Sequence, residues 1–246
     1  MIHTTIHDIR TEFAILYTKD KTVVDKTGVK TLEIMNASFI ASDPLIFGSV
    51  NEDYVRRELE WYLSESLNVN DIPGETPQIW KQVSDRDGFI NSNYGWCIFS
   101  SENNDQFYHA VTELENNPDS RRAVMIYTRP TMWGDHNENG RSDFMCTNAV
   151  QYMIRDNKVN ALVQMRSNDV VFGYRNDYAW QSYVLDKVIE TLKERGKPYE
   201  RGKIFWNVGS LHVYERHFYL VNHFAKTRET TITKEEYDKR YAVEVG

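Results

Sequence analysis

Cysteine is nearly absent: Cys97 and Cys146 are the only two in 246 residues, too few for a disulfide framework or a paired-cysteine metal site. That usage points to a reduced, cytoplasmic setting. Proline (6) and glycine (12) are both sparse, which excludes collagen-like and low-complexity organisation. No apolar run approaches the roughly 18 residues a membrane span requires, and no membrane association is expected. The opening Met1-Ile-His-Thr-Thr-Ile-His-Asp8 lacks the charged and apolar regions of a signal peptide. Basic residues are outnumbered, 29 to 36, for a formal net charge of −7. Affinity for a phosphate backbone comes mainly from Lys and Arg, so direct nucleic-acid binding is not expected. A few local arginines can still hold one small anion. With no internal repeat, no linker rich in Gly, Pro or Ser, and no long charge block, residues 1–246 read as a single domain.

Several chemical motifs are also missing. There is no Walker loop, no GxGxxG and no zinc-deaminase signature. Asp135-His-Asn-Glu-Asn-Gly140 matches the first half of a calcium loop, but the twelfth position, which should supply a bidentate Glu, is Cys146. His212, His217 and His223 are spaced so that no two share a helical face, and no metal is expected.

Aromatic residues are plentiful at 13%, with 15 Tyr, 11 Phe and 6 Trp, suiting deep pockets or a large subunit interface. Residues 31–41 alternate as a strand after the turn Asp25-Lys-Thr-Gly28. Residues 51–65 read as a helix capped by Asn51, with Val55, Leu59, Tyr62 and Leu63 as its buried stripe. A second helix spans 104–116, and 123–127, 145–154 and 159–165 read as extended. The longest helix is expected over 177–195, where Val184, Val188 and Leu192 recur at i, i+4 and i+8 before Gly196. A strand over 203–214, a helix near 216–226 and a capping-box spacing from Thr233 to Glu236 complete the chain. Strands and helices interleave without regular βαβ phrasing. The expected class is α/β (α+β), a mixed sheet packed against helices.

Three groups of residues carry candidate chemistry. Cys146 follows the polar loop in Asp143-Phe-Met-Cys-Thr147; it is either a nucleophile or, as lone cysteines often are, a small buried hydrophobe. Glu58 has Tyr54 at i−4, Trp61 at i+3 and Tyr62 at i+4, so aromatic rings surround a carboxylate whose pKa should rise toward the range of proton transfer. The alternative is an edge glutamate with its head in water. Arg121 and Arg122 precede one strand and Arg166-Ser167 end another, positions from which arginines can converge on a phosphate, although surface ion pairing is the commoner fate.

Taken together, these segments resemble the thymidylate synthase superfamily, and within it the bacteriophage deoxycytidylate hydroxymethylases, from about Val24 to Lys226. Glu58-Leu-Glu-Trp-Tyr-Leu63 is similar to the family's helix bearing the catalytic glutamate. Trp80 and Asn93-Tyr94-Gly95 resemble the active-site tryptophan and tyrosine, and Ser120-Arg121-Arg122 the pair lent to the neighbouring subunit's phosphate site. Cys146 with Gln151-Tyr152 is similar to the nucleophile motif, Arg166-Ser167-Asn168-Asp169 with Gly173 to the phosphate and folate segment, and Gly209, His212 and Tyr214 to the ribose-binding strand.

The resemblance implies a thymidylate synthase-like fold, a homodimer formed through the sheet with shared active sites, and two substrates, a pyrimidine 5′-monophosphate and 5,10-methylenetetrahydrofolate. It implies catalysis by Cys146, Glu58 and Asp177. It also implies nucleotide binding by Lys26, Tyr94, Arg121, Arg122, Arg166, Ser167, Asn168, His212 and Tyr214, and folate binding by Trp80, Asp169 and Gly173. Three departures from the synthases bear on the base. Met145-Cys-Thr147 replaces Pro-Cys-His, Gly209-Ser210 replaces Gly-Asp, and Gly173-Tyr-Arg-Asn-Asp177 ends in Asp where the synthases carry the uracil-reading Asn. A carboxyl suits cytosine, so the expected substrate is dCMP and the expected reaction 5-hydroxymethylation, with water trapping the transferred methylene. Asp177 read alone is equally a helix cap. Methyl transfer to dUMP or dCMP, hydroxymethylation of CMP, and a nucleotide-binding module without catalysis are the other readings.

Overall fold

The computed structural model describes residues 4–25 and 28–241. Among them the helices are α1 (Ile6–Thr18), α2 (Glu52–Leu63), α3 (Gln78–Val83), α4 (Tyr94–Phe99), α5 (Gln106–Asn116), α6 (Met132–Asp135), α7 (Gly173–Glu194), α8 (Phe218–Thr227) and α9 (Lys234–Tyr241). The strands are β1 (Val23–Val24), β2 (Lys30–Ile40), β3 (Val124–Ile126), β4 (Thr147–Arg155), β5 (Lys158–Asp169) and β6 (Glu200–Tyr214), in one sheet of order β1-β2-β6-β5-β4-β3.

Four neighbouring pairs are antiparallel: β1 with β2, β2 with β6, β3 with β4, and β4 with β5. β5 and β6 run the same way. Glu200 N bonds to Asn157 O, and further along Val170 N bonds to His212 O, so both residue numbers rise together. A parallel pair needs a crossover connection, and α7 supplies it. The expected mixed sheet is therefore present.

The described residues form two compact units, one within 4–50, 167–179 and 205–241, the other of residues 51–166 and 180–204. In the first, a capping box between Thr5 and Asp8 starts α1. Phe13, Phe47 and Phe224 meet edge to face at 6.3 and 5.7 Å, while Tyr174 packs between Phe39 and Trp206. In the second, Tyr62 stacks on Trp61 and Tyr94 and meets Trp180 edge-on. Gly95 lies so close to α2 that an added Cβ would stand 1.8 Å from the Tyr62 carbonyl oxygen, a position only glycine tolerates. Val184, Val188 and Leu192 of α7 are fully buried, as their spacing predicts, and Gly196 ends the helix region at φ +79°. At the outer strand β3, the Gln106 side chain exchanges two 2.7 Å bonds with the backbone of Ile126, covering part of an open sheet edge.

Three expectations are corrected. Of the expected stripe on α2, Tyr62 is buried, but the face is completed by Glu58 and Trp61, whereas Leu63 is 43% exposed and Val55 and Leu59 only half-buried. The aromatic stacking rotates the helix away from its aliphatic stripe. The second helix begins at Gln106 because Asn104 and Asp105 take left-handed φ of 61° and 41°. The longest helix begins at Gly173, four residues before Asp177, so Asp177 lies one turn inside it and is not its cap.

Candidate active site

Cys146 sits immediately before β4, opposite Arg166 on β5, whose backbone N–H donates to the Cys146 carbonyl at 2.9 Å. One residue further on, the register slips: Thr147 pairs with Met165 but Ala149 with Gln164, leaving Asn148 as an extra residue. A bulge re-aims the neighbouring side chains. The Arg166 side chain is held by its fork, Nε to the Met145 carbonyl at 2.8 Å and Nη2 to the Phe144 carbonyl at 2.7 Å, with the Phe144 ring 5.1 Å from the guanidinium carbon. Nη2 then stands 3.6 Å from Cys146 Sγ. Cys146 is half-buried. Cys97 is only 2% exposed, and burial pushes its thiol up to about 12. The two cysteines thus separate as their contexts suggested, one beside a cation and one in the core.

Glu58 is 5% exposed, so the solvated-edge reading is excluded. Its Oε1 accepts from Tyr54 Oη at 2.5 Å and from Trp80 Nε1 at 3.2 Å, and the same indole N–H lies 3.0 Å from Tyr54 Oη. The aromatic residues around this carboxylate therefore also donate to it, which spacing on one helix does not reveal for Trp80. Tyr94 begins α4, and Thr147 Oγ1 donates to its phenol oxygen at 3.0 Å. Thr147, beside the nucleophile candidate, stands in the sequence only as a departure from the synthases' Pro-Cys-His, with no sign of its bond to Tyr94. Its place directly after Cys146 was the available signal. Arg121 and Arg122 are exposed, and Arg122 donates to Glu113 Oε1 at 2.9 Å.

The other unit carries the remaining candidates. Asn168, 3% exposed, donates from Nδ2 to Asp177 Oδ2 at 2.7 Å, while its own Oδ1 is buried without a partner. Gly173 makes that contact possible: a Cβ there would lie 3.1 Å from Asn168 Nδ2 and 3.7 Å from Asp177 Oδ2. The Asp169 carboxylate accepts the backbone N–H groups of Val171 and Phe172 at 3.3 and 3.1 Å, so Asp169, not Asp177, satisfies backbone at the entry to α7. Ser167 is half-buried. His212 and Tyr214 share one face of β6, their rings edge to face at 5.0 Å. Glu33, next to them, has no signal in the sequence, and Ser210 stands there only as a departure from the synthases' Gly-Asp. Lys26 lies outside the described residues.

No three His, Cys, Asp or Glu side chains among the described residues are grouped to hold a metal ion, and none of the helices described is long and apolar enough to cross a membrane. The partial calcium motif folds as α6 and a turn, with Asp135 3.7 Å from Arg129.

Comparison with known proteins places these features in context. The sequence model of the thymidylate synthase family matches residues 14–240. The deoxycytidylate 5-hydroxymethyltransferase of Enterobacteria phage T4 is 59% identical over 240 residues, 97% of this chain and 98% of that one. Its counterpart in Enterobacteria phage T6 is 60% identical over 235 residues, 95% and 96% of the two chains. The thymidylate synthase of Bacillus subtilis subsp. natto is 30% identical over 169 residues, 65% of this chain and 57% of that one. Among solved structures, the thermostable thymidylate synthase A from Bacillus subtilis superposes with a TM-score of 0.67 at 22% identity, covering 91% and 84% of the two chains, a likeness of fold.

Proposed function

The chain belongs to the thymidylate synthase family, and from that premise we propose that it is a deoxycytidylate 5-hydroxymethyltransferase acting on dCMP and 5,10-methylenetetrahydrofolate. The observation that carries the reaction is the half-buried Cys146 thiol with a guanidinium 3.6 Å from its sulfur. A neighbouring cation favours the thiolate, the form that attacks. Arg166 is at the same time a phosphate ligand of the nucleotide, with Ser167 following it in the chain and Arg121 and Arg122 supplied to the partner subunit of a homodimer.

The Cys146 thiolate adds to C6 of the pyrimidine, and the electron pair of the 5,6 double bond makes C5 nucleophilic. The folate supplies a one-carbon unit at the oxidation level of formaldehyde. C5 bonds to that carbon; loss of the C5 proton then breaks the carbon–nitrogen bond to the folate and releases tetrahydrofolate, water adds to the resulting exocyclic methylene, and the sulfur departs as thiolate to restore the ring. Glu58, with Tyr54 and Trp80 donating to it, is a positioned carboxylate that orders water and moves protons at the base. Asp177, with Oδ2 held by Asn168, accepts from the 4-amino group of cytosine and shares a proton with N3, which draws electrons from C6 and assists the attack.

The folate-binding residues fit their partner chemically. Trp80 presents a half-buried indole whose N–H is already engaged, leaving a ring for stacking on a planar pterin. Asp169 keeps acceptor capacity beyond its two backbone bonds, because a carboxylate offers about four lone-pair sites.

The test is one assay run with dCMP, CMP and dUMP: tritium release from the 5-position, with absorbance followed for dihydrofolate. Release from dCMP with no dihydrofolate supports the reading. Dihydrofolate in step with release would replace it by methyl transfer, full release by Cys146→Ser would remove Cys146 as the nucleophile, and no release from any of the three nucleotides would leave only a binding module.

A further inference from the structure

Where the synthases carry an Asp two residues before the ribose-binding His, this chain has Ser210, and the carboxylate comes instead from the adjacent strand. Glu33 of β2 pairs directly across from His212 of β6, and Met35 pairs with Ser210, so Glu33 and Ser210 are diagonal neighbours on the face that holds the imidazole. All three side chains are half-buried. Ser210 Oγ donates to Glu33 Oε1. His212 Nδ1 lies 3.4 Å from Ser210 Oγ and 3.4 Å from the Ser210 carbonyl oxygen.

The directions of these bonds determine the imidazole. A serine hydroxyl has one proton, and here it goes to the carboxylate, so Oγ faces the ring as an acceptor. The carbonyl oxygen is an acceptor by nature. Both neighbours of Nδ1 therefore call for a donor there, and in the neutral ring a proton on Nδ1 leaves Nε2 as a lone pair. An Nε2 acceptor suits a hydroxyl donor. In dCMP the 5′ oxygen is esterified, and the sugar has a single free hydroxyl, at C3′.

We propose that Glu33 is a positioning residue: acting through Ser210, it holds His212 in the Nδ1–H tautomer so that Nε2 accepts the 3′-hydroxyl of the nucleotide. This rests on the reading above that His212 faces the sugar. Glu33 has no counterpart among the motif residues that carry the family resemblance. It is read from the register of two strands.

The test uses the full-length protein with ¹⁵N-labelled histidine, at a pH where His212 is neutral, together with binding of dCMP and 2′,3′-dideoxycytidine 5′-monophosphate. The wild-type ring should show a protonated Nδ1 and a bare Nε2, and loss of the 3′-hydroxyl should weaken binding roughly fivefold to tenfold, the range of one hydrogen bond. Glu33→Leu frees the Ser210 proton to turn toward Nδ1. It should lower the Nδ1–H fraction and bring the two affinities together. Glu33→Gln keeps an acceptor oxygen for Ser210 and should restore both. A wild-type ring protonated on Nε2 would overturn the proposal whether or not the variants fold, as would a Glu33→Leu protein with wild-type signals and affinity ratio. Equal wild-type affinity for the two nucleotides would instead sink the sugar-facing reading of His212 while leaving the tautomer measurement intact.

Discussion

Replacing Asp177 by Asn changes one side-chain atom at the point where base choice is argued to lie. A free amide can flip to present either face, but here Asn168 Nδ2 donates into the Oδ2 position at 2.7 Å. A flipped amide would set two N–H groups against each other, so the carbonyl oxygen must take that position and the amino group the other. The proposed cytosine contact takes Oδ1 as the oxygen facing the exocyclic substituent; with that orientation the amino group of the variant matches uracil, whose O4 accepts and whose N3–H donates. Against cytosine it opposes donor to donor and acceptor to acceptor. Each mismatched buried group costs about 1–3 kcal/mol, so two cost roughly 2–6 kcal/mol, or about 30-fold to 10⁴-fold in kcat/KM. Fold stability should hardly change. Asp177 lies inside α7 instead of capping it, and the nearly buried Asn168 keeps its acceptor, so the loss should stay below the roughly 1 kcal/mol of a missing cap. Tritium release from the 5-position of dCMP and dUMP, with thermal unfolding as control, measures both quantities. A folded variant with the wild-type ratio of dCMP to dUMP turnover would refute the assignment.

Gly173→Ala should lower kcat/KM for dCMP about 5- to 100-fold, since its Cβ would press on Asn168 Nδ2 at 3.1 Å and Asp169 Cβ at 3.4 Å, an overpacking strain of roughly 1–3 kcal/mol; steady-state kinetics at fixed salt checks this. Iodoacetamide at pH 8 should modify Cys146 and spare Cys97, whose thiol is buried and raised to about 12; peptide mapping that found Cys97 alkylated first would contradict the assignment of the nucleophile. For a shared site, Arg122→Ala mixed with Cys146→Ser should regain activity that neither has alone, because one site of the mixed dimer draws its Cys and Arg from different intact chains. Failure after demonstrated subunit exchange would count against sharing.

Much of the local structure was legible in the residues. The Asn51 cap, the i, i+4, i+8 stripe of α7, the Gly196 stop and the Thr233–Glu236 box all form as their spacing predicts, because capping and helical periodicity act within a few residues. The short helices α3 and α4 were not expected: six-residue segments carry too little periodicity to declare themselves. The rotation of α2 was hidden for a different reason. Its aliphatic stripe is a genuine amphipathic signal, but Trp61 and Tyr62 have more area to bury, and the rings of Tyr94 and Trp180 that receive them come from elsewhere in the chain.

The same division runs through the candidate site. Residue type and order along the chain single out Cys146, Glu58 and Arg166 as candidates, because a thiol, a carboxylate among rings and an arginine at a strand end have chemical meaning wherever they fold, whereas Asp177 enters only through the family resemblance. Their partners were a matter of tertiary structure alone. Trp80 reaches Glu58 across 22 residues, Arg166 reaches the Cys146 sulfur across 20, and Glu33 reaches Ser210 across 177, each through strand register or helix packing. Hydrogen bonds have direction and a reach of about 3 Å, and sequence spacing carries neither once the partners lie on different elements.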